Sequence, residues 1–100
     1  MKLVLLSADN APSVYAVPEK VAENLSKYCM EFSAEWLYTS EHAQKYRTTK
    51  GVCFDETDFV DYLNEWIFPN EPTILIETLP GNYAQLKVPE KYRNLEWFNF

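Results

Sequence analysis

The sequence predicts an α+β fold. Two main helices, about 18–38 and 56–68, pack on one face of a small, mostly antiparallel sheet of three to four strands. Three observations predict it. Apolar residues recur at helical spacing twice, as Val21, Leu25, Tyr28, Cys29, Phe32 and Trp36, then as Phe59, Leu63, Trp66 and Ile67. Short β-branched and aromatic runs at 2–7, 13–17 and 73–79 are bounded by turn residues, with 83–88 as a fourth candidate strand. The length of 100 residues suits one domain with one core, spanning 1–100.

The first two runs are joined by Ala8-Asp9-Asn10-Ala11-Pro12, which reads as a turn between antiparallel strands. Pro18 then suits a helix start, where its missing N–H costs nothing, and Glu19 complements the positive end of the helix dipole. On the polar face, Glu23–Lys27 and Lys27–Glu31 are expected as i,i+4 ion pairs. Thr39-Ser40 interrupts the helix, and Ser40 is placed to cap a short helix from Glu41 to Tyr46. Arg47 to Gly51 reads as the main surface loop.

The next helix has the clearest start in the chain. Asp55 is a good N-cap, Asp58 sits at the third helical position as an aspartate form of the capping box, and Phe54 with Phe59 forms a hydrophobic staple. Phe68-Pro69 ends it, because the residue before proline avoids helical geometry. Residues 73–79 follow as the strand expected to be best buried, then Pro80-Gly81-Asn82 as a turn into the returning strand. Val17-Pro18-Glu19-Lys20 recurs as Val88-Pro89-Glu90-Lys91, which suggests one local solution, used twice, for leaving a strand and starting a helix.

Composition narrows function. The net charge of −6 disfavours a phosphate backbone as partner, so nucleic-acid binding is not expected, and it suits a basic protein partner. Lys45-Tyr46-Arg47-Thr48-Thr49-Lys50 has the basic and aromatic texture of a single-strand contact, but it is equally an ordinary loop. Two glycines leave no material for a phosphate-binding loop. Two cysteines and one histidine make no zinc set, and no cofactor is implied. Cys53, flanked by Val52 and Phe54, is expected to be buried, which argues against a nucleophile activated by His42. No catalytic residues are assigned, and the chain is read as a non-enzyme. The apolar run Leu3-Val4-Leu5-Leu6 is too short for a signal peptide or a membrane span, so a cytoplasmic protein is expected.

Two features remain as candidates for protein binding. One is the acidic set Asp58, Asp61 and Glu65, which shares a helix face at i, i+3 and i+7. The spacing matches no calcium loop. The other is the aromatic segment Trp97, Phe98 and Phe100, which reads either as a staple into the protein's own core or as an exposed anchor. The leading expectation is therefore a non-catalytic protein–protein interaction module, of the inhibitor, antitoxin, immunity or assembly-subunit kind. A small-ligand domain or enzyme with an unrecognised site is the first alternative, and an acidic mimic of nucleic acid the second. An open sheet edge or the aromatic end leaves room for a homodimer.

Overall fold

The fold was described from a computed structural model, over residues 1–80 and 87–100. Strands β1 (Lys2–Ser7) and β2 (Ser13–Val17) form an antiparallel pair. Helix α1 (Glu19–Glu23) follows, then the long helix α2 over residues 25–39, the short 3-10 helix α3 (Glu41–Tyr46), and a small hairpin of β3 (Arg47–Thr48) and β4 (Gly51–Val52). Helix α4 runs over residues 56–67, and strands β5 (Ile74–Thr78) and β6 (Trp97–Asn99) complete the main sheet. Its order is β5-β2-β1-β6, with β6 parallel to β1 and the other pairs antiparallel. The class is α+β.

Each face of the sheet buries its own cluster, because successive side chains on a strand point to opposite sides. Val4, Leu6, Tyr15 and Val17 face the helices and meet Val21, Leu25, Cys29, Phe32, Phe59 and Leu63. Leu5 and Val14 face the other way, where Leu79, Tyr92, Val88 and Leu95 cover them. At the centre of the helical side, fully buried Phe32 lies within 5.1–5.9 Å of the rings of Trp36, Phe54, Phe59, Tyr62 and Phe100.

The local start signals hold. The Ser40 hydroxyl accepts the His42 N–H at 3.1 Å. Asp55 and Asp58 form the reciprocal capping box, with the Asp55 N–H donating to Asp58 Oδ2 at 2.9 Å. Phe54 and Phe59 are joined through Phe32 and Phe100, rather than as a bare pair. The repeated Val-Pro-Glu-Lys motif has one geometry in both places. Pro18 (φ −51°, ψ 141°) precedes α1, and Pro89 (φ −54°, ψ 145°) precedes the 3-10 turn Glu90–Tyr92.

Other expectations are corrected. The helix expected over 18–38 is two helices, because Asn24 leaves helical geometry and its side-chain amide turns back to donate to Lys20 O at 3.0 Å. That break separates Glu23 from Lys27, and Glu23 pairs with Lys2 at 3.4 Å instead. Lys27 and Glu31 form no ion pair. Among the described residues strand β5 lies at the end of the sheet order and is not its best-buried strand, since Ile74, Leu75 and Ile76 are each about half exposed. Two devices blunt that end. The pairing with β2 shifts by one residue between Val14 and Tyr15, and the Asn64 amide of α4 both donates to Thr73 O (3.2 Å) and accepts Thr73 N–H (2.7 Å). The expected strand at 83–88 falls largely outside the described residues, and Lys87 and Val88 are not in a strand. The fourth strand is β6, built from the aromatic end. Cys53 is exposed, because the β3–β4 hairpin turns Val52 and Phe54 toward the core and leaves the residue between them outside. Arg47 is not a loop residue: its guanidinium donates to Leu37 O (3.0 Å) and Ser40 O (2.6 Å), satisfying carbonyls at the end of α2.

Candidate protein-binding groove

The two long helices share an unusual feature. Each widens into a π-helical turn, at Glu31–Trp36 in α2 and at Leu63–Ile67 in α4. In α2, Ser33 and Thr39 hydroxyls donate back to Cys29 O (2.8 Å) and Glu35 O (2.9 Å), the local bonding that bends helices. Such turns are costly and recur at functional sites. The second one rotates Trp66 off the apolar stripe where the sequence placed it. Trp66 is 46 % exposed and stacks on His42 at 4.2 Å.

Between the helices lies a groove of about 270 Å³, lined by Glu31, Glu35, Trp36 and Thr39 from α2 and Tyr62 from α4. The Trp36 and Tyr62 rings are 5.0 Å apart and tilted by 58°. Behind them, Tyr62 packs on Phe32 and Trp36 on Tyr46, so both rings are set by the core. Burial first, then the neighbouring Glu31, Tyr28 and Glu35 groups, raise the Tyr62 phenol above its usual pKa. Among the described residues no cation lies within ion-pair reach of either glutamate. Tyr62 is only 5 % exposed, so the half-buried Trp36 ring, beside two unpaired carboxylates, is the face that a guanidinium or ammonium group can meet.

The residues singled out in sequence fall elsewhere. Asp58 is half-buried and committed to the capping box, and burial raises its pKa. Asp61 and Glu65 are exposed and, among the described residues, make no ion pair, and the nearby Lys45 ammonium sits over the Tyr46 ring at 5.1 Å. Phe98 and Phe100 pack against the helical-side core, with Phe100 within 5.4–5.9 Å of Phe32, Phe54 and Phe59. Trp97 is 39 % exposed and donates its indole N–H to Ser7 Oγ at 2.9 Å. The aromatic end is thus a strand stapled into the fold at Phe98 and Phe100. His42 shares no hydrogen bond with either thiol, and both thiols are free. Among the described residues no group of three or more His, Cys, Asp or Glu side chains has metal-binding geometry, and no helix is long and apolar enough to cross a membrane.

Sequence reasoning missed Tyr62 and placed Glu31 on the polar helix face as a partner of Lys27. The available signal was Glu31 and Glu35 together. Like charges four apart on a helix repel, and here Glu31 and Glu35 do so with Glu35 immediately preceding Trp36. No family model matches the chain, and no curated protein or solved structure does, so these side chains alone carry the functional argument.

Proposed function

We propose that this protein is a non-catalytic binding module that takes a basic segment of a partner protein into the groove between α2 and α4. The observation that carries the reading is the pairing of unneutralised Glu31 and Glu35 with the Trp36 and Tyr62 rings in one concave site. A basic side chain gains there from both the carboxylates and the half-buried Trp36 ring, which Tyr62 holds in place. The net charge of −6 adds long-range attraction for such a partner and speeds its encounter. A cytoplasmic location is part of the proposal, and two free thiols suit a reducing compartment.

The test is calorimetric titration with a short alternating Lys-Arg peptide. Any acidic protein attracts a polycation, so the control removes equal charge elsewhere. Glu31→Gln with Glu35→Gln should weaken binding about tenfold or more, as expected for two charge-assisted contacts of about 1 kcal/mol each. Glu41→Gln with Glu71→Gln, both on exposed positions outside the groove, should weaken it less than about twofold. Equal weakening by the two double variants, or loss of binding in neither, refutes the groove.

A further inference from the structure

A second concave site lies at the opposite edge of the sheet from β5. Strand β6 accompanies β1 only from Leu5 to Ser7. Within that stretch the Leu5 N–H donates to Glu96 O at 2.9 Å, and Ser7 O accepts the Phe100 N–H at 2.8 Å. Odd-numbered residues of β1 therefore turn their backbone groups toward β6, while the even ones face β2. Leu3 lies two residues before Leu5 and faces the same way. The chain before Glu96 peels away instead of continuing the ladder, which leaves the N–H and C=O of Leu3 beside a wedge of about 420 Å³.

The wedge has two apolar walls, Val4 with Ala22 on the helical side and Leu3 with Leu95 on the other. Its rim is acidic. Lys2 is held by both Glu19 and Glu23 at 3.4 Å, and Glu96 stands across the opening, so three carboxylates oppose one ammonium. A backbone donor and acceptor on one edge residue are what an added strand uses, with flanking pockets for its side chains.

We infer that this wedge is a docking slot for an extended peptide segment that pairs with Leu3, seats one apolar side chain between Ala22 and Leu95, and carries basic residues on either side. Basic flanks follow from the excess of carboxylates at the rim, and an apolar centre from the walls. The slot shares no lining residue with the groove between α2 and α4 and stands or falls without it.

The experiment titrates the ¹⁵N-labelled full chain with acetyl-Lys-Val-Lys-amide and, separately, acetyl-Glu-Val-Glu-amide. Shifts at Leu3, Ala22, Leu95 and Glu96 are expected with the basic peptide, at an affinity at least about fivefold above that of the acidic one. Glu96 is exposed, so Glu96→Lys keeps the fold and should reduce binding of the basic peptide, whereas Glu31→Gln with Glu35→Gln should not. Ala22→Leu fills the slot and should abolish binding if the chain still folds. No shifts at millimolar peptide, equal affinity for both peptides, or shifts confined to the groove overturn the proposal. So do concentration-dependent shifts at Leu3 without peptide, which would make the occupant a second copy of this chain.

Discussion

Strand β6 and the middle of α2 carry the same kind of side chain and use it in opposite ways. In β6, Phe98 and Phe100 are set by backbone pairing to β1 and turn into a ring cluster, with Phe98 and Phe100 at 4.8 Å from each other. In α2, Trp36 is half-buried at the helix surface, backed by Phe32 and Tyr46 and bordered by Glu31 and Glu35. Aromatic residues alone do not distinguish a staple from a binding surface. The neighbours do: paired backbone and other rings in one region, unpaired carboxylates and an open groove in the other.

Truncation separates the two regions most strongly. Phe32→Ala removes the ring that joins them, and the fully buried site should lose about 4–5 kcal/mol, a large part of the stability of a small domain. Phe100→Ala, at a half-buried ring, should cost about 2–3 kcal/mol and leave Lys-Arg peptide affinity unchanged in the molecules that remain folded. Trp36→Ala should do the reverse, with a cost of about 1–2 kcal/mol and a binding loss of about tenfold. Urea unfolding and calorimetry on the same samples read both quantities. The contrast breaks if Phe100→Ala weakens peptide binding or if Trp36→Ala leaves it intact.

What could be read from the chain beforehand follows the range of the forces involved. Asp55, Asp58, Ser40 and Pro18 act within a turn of their own position, so the sequence shows them directly. Strand β6 exists because Trp97–Asn99 pair with residues about ninety positions earlier, and nothing near Trp97 announces that partner. The apolar run at Ile74 looked central because composition reports apolarity, not which neighbour a strand finds. Trp66 was misplaced because a π turn changes the phase of a helical stripe, and Cys53 because its apolar neighbours turn inward around it. The groove was half legible: Glu31, Glu35 and Trp36 lie close in sequence, but Tyr62 arrives from another helix.

Alkaline titration sharpens the comparison from the electrostatic side. Burial raises the Cys29 thiol far above its usual pKa, and burial first, then nearby acidic groups, raises Tyr15 and Tyr62. For these acids the folded state holds its protons longer than the unfolded chain, so the unfolded state binds fewer protons as pH rises and stability must fall. The decline should begin near about pH 8.5, where a free thiol ionises, and steepen past about pH 10 with the tyrosines. Cys29→Ala should remove the first phase and keep the second, as read from urea midpoints against pH. Because Glu31 and Glu35 help raise Tyr62, Glu31→Gln with Glu35→Gln should lower that phenol's pKa in a spectrophotometric titration and leave Tyr15 unmoved. A Tyr62 pKa indifferent to those changes would remove the carboxylates from the groove.

The smallest effect concerns Trp97, a ring that belongs to neither description. Trp97 lies in β6 yet stays more than a third exposed, and its indole N–H reaches the buried Ser7 hydroxyl. Ser7 Oγ in turn donates to Asn99 Oδ1 at 2.7 Å, and Asn99 ties Asp9 through its N–H (2.8 Å) and its carboxylate (2.9 Å). This network fixes the β1–β2 turn, where Asp9 holds a positive φ of 59°. Trp97→Phe keeps a ring but removes the indole N–H together with the five-membered half of the ring system. Ser7 still donates to Asn99, so the loss is one hydrogen bond and part of the contact area of a partly exposed ring, about 1 kcal/mol. A loss above about 2 kcal/mol would show that the indole itself is packed as core. An unchanged stability with weakened binding to the Lys-Arg peptide would return Trp97 to the role of anchor and extend the binding surface from the groove to the sheet edge.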